Sequence, residues 1–334
     1  MKHAQCEDES EWINLQQFKE ECKKTSKEMI YAGTDYGAVT MSTTVSMTDD
    51  QYKRHLELYN KYTCLEVDPL PQEEQESIPI LRKPFRVTAG EIDQRSLSRK
   101  HVQKRKRRKK GRPDVQAAED RLGQHSMKLT QSVDQVMQSR SVGLECRDIL
   151  RSFYFSTQAR KESRTQEMIT SKIYDQIAAK ERKYVVQATK GEAAPPILCI
   201  GKAGTGVGLR FRGHTKPGCT KMRQRHRRYT IVSMTNEHRS SQTCVFCFQQ
   251  VQRPKTRKLV KGKWKSVSVN GSSLCMNPQC LTYTHGCNTR NRDTQAAFAI
   301  ALASASRIST SQTLEPFNAS HLQTGSQLSH RSPT

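Results

Sequence analysis

With 334 residues, 34% of them hydrophobic and 26% charged, the chain is long enough for one large or two medium domains with a modest core and much solvated surface. Its formal net charge of +24 is too large to be a solubility device and points to a polyanionic partner, most simply nucleic acid. No apolar run approaches the ~18–20 residues that span a bilayer, and the opening MKHAQCEDESEW is too polar and acidic for a secretory signal.

The charge is segregated. Residues 1–80 hold 16 of the 32 acids and 8 of the 56 bases, so they sum to −8 and the remainder to +32. The cysteines number eleven. Four fall in close pairs, a pattern that fits a reducing compartment and one metal site better than a disulfide framework.

Trp12, Leu15, Phe18 and Cys22 recur at helical spacing, so residues 9–28 are expected to form an amphipathic helix. MIYAGTDYGAVTMSTTVSM then reads as a strand, a tight turn permitted by Gly37, and a second strand rich in Val and Thr. Asp35 ends the first strand. A hairpin of this kind begins the RNase H-like nuclease core, although an Asp at a strand end is also an ordinary turn former. Residues 48–66 read as a helix, 68–79 as a Pro- and Glu-rich loop, and 80–90 as holding a short strand.

Residues 99–112 carry ten Lys or Arg in fourteen. Self-repulsion makes such a block an exposed arm. Phosphate contact and nuclear localisation are its natural uses, with Arg105, Lys106, Arg107 and Arg108 as candidate contacts. Residues 115–188 read as two or three helices whose Leu, Ile, Met and aromatic residues, Met127, Val133, Met137, Phe155 and Met168 among them, are expected in the core. PPILCIGKAGTGVG is a buried strand entering a Gly-rich loop. It lacks the Gly-Lys-Ser/Thr ending and following helix of a triphosphate site. A second basic run, Arg210 to Arg228, adds Arg225, Arg227 and Arg228 as candidate nucleic-acid contacts.

The strand 229–236 leads to Glu237. Cys244 and Cys247 form a CxxC pair, and Cys275 and Cys280 a looser one, with a basic β-hairpin between. Two such knuckles offer four soft ligands to one tetrahedral ion, the arrangement of structural zinc. The four-residue gap in the second pair leaves His285 or Cys287 open as a substitute ligand. Asp293 opens an Ala-rich helix with a small-residue face. Disorder is expected over 306–334.

NEHRSSQTCVFC, CMNPQC and NRDTQAA, in this order, resemble the C-terminal part of the transposon-encoded TnpB nucleases and their eukaryotic relatives, the Fanzor proteins. YAGTDYGAVT is similar to their first RuvC motif. The resemblance implies an α/β (α+β) fold: an RNase H-like RuvC core of mixed sheet flanked by helices, with a small zinc-ribbon domain inserted. It implies a metal-dependent, RNA-guided DNA endonuclease, or a domesticated nucleic-acid-binding protein without nuclease activity. Two Mg²⁺ ions would be held by Asp35, Glu237 and Asp293, and one structural Zn²⁺ by the cysteines. The β-strand PILCIGK, where many TnpB proteins carry their middle acid, has none here. Glu237 stands at the place from which Fanzor-like members supply it.

The implied organisation is an N-terminal helix (1–28, remnant of a longer upstream region in a shortened copy), a RuvC-like core (29–237) bearing the basic arm and helical insert, a zinc-binding target-nucleic-acid domain (238–290), a final RuvC motif (291–305) and the tail. The implied partners are DNA and a guide RNA, with no membrane and no small-molecule substrate, and the implied location is the nucleus.

Overall fold

The computed structural model describes residues 9–25, 27–37, 40–63, 82–127, 131–189, 194–201, 219–260 and 262–318. The expected loop at 68–79, the Gly-rich loop after Gly201 and the tail from 319 lie outside the described residues. In chain order the elements are α1 (Glu9–Lys24), β1 (Ile30–Tyr36), β2 (Thr40–Thr48), α2 (Asp49–Thr63), β3 (Phe85–Thr88), α3 (Ala89–Arg95), α4 (Ser98–Lys110), α5 (Pro113–Gln124), α6 (Val133–Tyr154) and α7 (Thr157–Val186). Then follow β4 (Ile197–Gly201), α8 (Cys219–His226), β5 (Ile231–Thr235), β6 (Lys255–Val260), β7 (Lys263–Ser268), β8 (Ser272–Leu274), α9 (Leu281–Thr284), β9 (Thr289–Asn291) and α10 (Arg292–Thr310).

The chain forms two compact units, one from residues up to Ala89 and from Ile177 onward, the other Gly90–Gln176. The second unit therefore begins earlier than the expected insert and takes in the basic stretch. The segment with the two cysteine pairs, by contrast, belongs to the first unit.

The first unit is built on a mixed five-stranded sheet flanked by helices, in the order β3-β2-β1-β4-β5. β1 runs antiparallel to β2 and parallel to β4, and β4 runs parallel to β5. The expected α/β fold is thus present. One face of the sheet is covered by α10, whose residues Gln295 to Ser306 are all buried. A helix buried all round must be apolar or small all round, and QAAFAIALASAS is. Gly33 makes this packing close. A Cβ there would lie 1.9 Å from the Ala297 carbonyl oxygen and 2.6 Å from the Ala301 nitrogen. The disorder expected from residue 306 is not found up to residue 318. α10 continues to Thr310, and Leu314 and Phe317 beyond it are buried in the core of this unit.

The opposite face of the sheet carries a buried polar cluster. Thr44 donates to the Glu181 carboxylate, and the Thr34 hydroxyl, 2.8 Å from Thr44 Oγ1 and 3.2 Å from Glu181 Oε1, shares its proton between them. His226 Nε2 lies 3.3 Å from Glu181 Oε2, each side chain 1% exposed.

The second unit packs α5 on α6 through Ala118, Val142 and Cys146, with Leu122 and Leu150 against them. The basic stretch is not a free arm but the helix α4. Arg108 is half-buried, ion-paired with Glu162 at 3.1 Å and stacked over Phe153 at 4.8 Å. Arg105, Lys106 and Arg107 are exposed. Helical spacing misled for part of the expected core: Met127, Val133, Met137, Phe155 and Met168 are exposed, whereas Phe153 is buried.

Candidate metal centre and acidic site

The two knuckles are shaped by local hydrogen bonds. Thr243 bridges to Gln250, and the Phe248 amide donates to the Cys244 carbonyl at 2.9 Å. The wider CMNPQC gap is taken up by Asn277. Its side chain accepts from the Gln279 amide at 3.0 Å and its carbonyl from the Cys280 amide at 3.0 Å.

The Sγ atoms of Cys244, Cys247, Cys275 and Cys280 all lie within 4.8 Å of one another, and all four residues are buried. Cys244 and Cys280 sulfurs are 3.9 Å apart, Cys247 and Cys275 sulfurs 3.6 Å. A tetrahedron with Zn–S bonds of ~2.3 Å has S···S edges of about 3.8 Å. The set therefore has the size and ligand type to hold one zinc ion. His285 and Cys287, the alternative ligands, are exposed and outside it.

Hydrogen bonds from Cys244, Cys275 and Cys280, then burial, push the Cys247 thiol up. Hydrogen bonds from Cys244, Cys247 and Cys275 hold Cys280 down. A divalent cation binding these four sulfurs would displace the protons they share. Arg290, lying 4.2 Å over the Phe246 ring, brings positive charge beside the thiolates. Burial lowers its pKa, and the Cys244 and Cys280 sulfurs oppose that.

The knuckles are stitched to the first turn of α10. Gln295 Nε2 donates to the Thr243 carbonyl at 2.6 Å, and Ser273 Oγ donates to Gln295 Oε1 at 2.7 Å. From α2, the buried His55 sits 3.1 Å from the Val245 carbonyl through Nδ1 and packs on Phe246 and Phe298. Burial pulls its pKa down to about 4, so the ring is neutral and Nδ1–H donates.

The sheet register sets the Asp35 and Gly201 positions side by side. Arg86 of β3, Thr43 of β2 and Asp35 of β1 form one row. β1 meets β4 at Thr34↔Ile200, so Asp35 and Gly201 are the next positions along, and Gly201 pairs with Thr235. Side chains alternate along a strand. Asp35 therefore shares the α10-facing side with Gly33, and Thr34 points to Glu181 behind.

Gly201 has no side chain, and Glu237 fills its place. A Cβ built on Gly201 would lie 1.7 Å from Glu237 Oε1 and 2.3 Å from its Cδ. The Glu237 carboxyl thus occupies the position a β4 side chain would take, one strand (~4.8 Å) from Asp35.

Asp293 stands in the first turn of α10, after Asn291, whose side chain caps the helix by accepting from the Thr294 amide at 3.0 Å. That turn is fixed to the same row, because Arg86 donates to Thr294 Oγ1 at 2.8 Å. Arg292 lies 3.6 Å from Asp293 Oδ1.

Among the described residues, only the cysteine set is close enough to share one ion. Asp35, Glu237 and Asp293 are not gathered that tightly. Of the second basic run, Arg227 and Arg228 are exposed and Arg225 half-buried.

Reading the sequence missed three features. Gly201 serves as the cradle for Glu237, Arg86 ties the row to α10, and Glu181 pairs with His226 behind Asp35. The middle acid's absence from β4 was the one signal for the first. Nothing local marked the others. No protein-family model matches the chain, and no curated protein matches it.

Proposed function

We propose that this chain is a metal-dependent DNA endonuclease of the RuvC type, related to the Fanzor and TnpB nucleases. The observation that carries the reading is the Glu237 carboxyl lying over Gly201, beside the Asp35 position. A carboxylate placed where the neighbouring strand has left room is hard to account for as a surface acid.

Magnesium takes carboxylate oxygens, and a site for two ions would draw on all three acids. Asp35, Glu237 and Asp293 would hold the two ions. Such a pair supplies charge stabilisation for an in-line phosphodiester displacement. The chain's own part is to hold the acids on rigid elements: two strand ends and a helix whose close packing at Gly33 leaves it no room to shift. The zinc-binding module pins the first turn of α10 and hence Asp293. Guidance by an RNA, and a nuclear location served by the basic helix, belong to the same reading.

A second reading, a nucleic-acid-binding protein without cleavage, is favoured by the spread of the three carboxylates. The two separate on labelled DNA with Mg²⁺, with and without co-purified RNA. The nuclease reading expects cleavage that Asp35→Asn and Asp293→Asn abolish. Cleavage that survives both substitutions defeats it. Metal analysis should give one zinc per chain, lost in Cys247→Ser.

A further inference from the structure

A charge taken out of water needs a counter-charge, and Arg290 has no carboxylate to supply it. The residue is half-buried. Its guanidinium lies 4.2 Å over the Phe246 ring, and its Nε is enclosed and makes no hydrogen bond to the protein. Among the described residues no acid pairs with it, and the ionisable groups that favour its charge are the thiols of Cys244, Cys280, Cys287 and Cys275. Cys287 is exposed and outside the metal set; the other three belong to it.

The backbone fixes the guanidinium there. Arg290 stands in the middle of β9, directly across from Ser273 of β8. Phe246 stands between Val245 and Cys247 in the turn of the first knuckle. The strand on one side and the ring on the other hold the cation beside the sulfurs. His55 also packs on Phe246, but burial keeps that ring neutral, so it brings no charge.

Four thiolates around one divalent ion leave the centre doubly negative. A buried anion of that kind is unfavourable unless a cation faces it. Without metal the thiols can be neutral, and Arg290 is then a cation packed out of water with nothing to pair with. Metal and guanidinium each supply what the other lacks, so their contributions are coupled.

We propose that Arg290 is the counter-charge of the metal centre and sets how tightly zinc is held without touching the ion. The inference rests on the four cysteines holding zinc. Stacking on Phe246 accounts for the place of the guanidinium on the ring, but not for its having thiols as neighbours where a buried arginine needs acids.

The test is the zinc affinity of the full chain, read by competition with a chromogenic chelator. Arg290→Met keeps much of the stem and removes the charge, whereas Arg290→Lys keeps the charge. The Met variant should bind zinc about 10- to 100-fold more weakly, and the Lys variant should recover most of that loss. Melting temperatures should move in opposite directions. Arg290→Met should lower that of the zinc-loaded protein and raise that of the metal-free protein, because only the latter is relieved of an unpaired charge. A residue needed for packing alone would lower both.

Cobalt(II) in place of zinc gives a reading that needs no metal-free fold. Taking a cation away from thiolates raises the energy of their electrons. The sulfur-to-cobalt absorption should therefore move to longer wavelength in Arg290→Met and stay near its wild-type place in Arg290→Lys.

Zinc affinity within about twofold of wild type in Arg290→Met, an unmoved cobalt band, or a fall in both melting temperatures overturns the inference. A wild-type chain that binds neither zinc nor cobalt sinks the metal reading and this one with it. Zinc held normally by Arg290→Met sinks this one alone.

Discussion

The two faces of the central sheet treat carboxylates in opposite ways. On the α10 side, Asp35, Glu237 and Asp293 stand at the end of the strands. On the other, Glu181 is buried against Thr34, Thr44 and His226. Thr34 and Asp35 are adjacent in sequence, and strand alternation alone sends one to each face. A buried acid must be paired and hydrogen-bonded to exist there, and Glu181 is. The acids on the other side are positioned by a strand end, by the side-chain place that Gly201 leaves empty, and by a helix start. Stability should therefore depend on the Glu181 side and activity on the α10 side.

The substitution expected to break this contrast most violently is Gly33→Ala. Its new methyl would meet helix backbone that has no room to move. The expected loss is about 4 kcal/mol or more in urea unfolding, with α10 and Asp293 displaced together. A variant that folds normally would show that the helix is less fixed than its packing requires.

Glu181→Leu leaves His226 without its partner and should cost about 3–5 kcal/mol, and adding His226→Leu should recover much of that. Asp35→Asn should change stability by less than about 1 kcal/mol while removing cleavage. If the two single substitutions cost alike, the contrast between the faces is wrong.

The third test concerns the two buried histidines. His226 faces a carboxylate, but His55 faces a carbonyl and two aromatic rings. Burial depresses the His55 pKa to about 4 from 6.5. Between these values the unfolded chain takes up a proton that the folded chain refuses, so stability falls as pH falls. The contribution is full above about 6.5, on the order of 3 kcal/mol, and is lost by about pH 4. Urea midpoints across this window should fall less steeply in His55→Asn.

Gly201→Ala is the mildest for the fold and the most telling for the site. The three atoms nearest the new methyl all belong to the flexible end of Glu237, which can swing aside, so stability should change by about 1 kcal/mol or less. Cleavage should be lost all the same. Retained cleavage would show that the Glu237 position does not matter.

Much of this was legible in the chain. Asp35 was marked by its strand and turn, and the cysteine pairs by spacing. What stayed hidden depended on register and on partners distant in sequence. A glycine at the end of PILCIG reads as a departure until the sheet brings Glu237 over it. Glu181 reads as one more acid on a polar helix until α8 places His226 against it. In α6, helical periodicity marks a stripe but not whether anything covers it. Val142 and Val133 look alike in sequence, and only the first is buried.

The contact between Gly33 and α10 also sets an order of events during synthesis. β1 and β2 leave the ribosome early, yet the helix that covers their inner face is encoded some 260 positions later, a span that makes this one of the most non-local contacts in the chain. Until then Tyr31, Val45 and Met47 have no cover from that helix. The cysteine knuckles emerge just before α10, so metal can be loaded before the helix closes over the sheet. A nascent chain halted between the two would present an apolar strand pair to chaperones and to its neighbours.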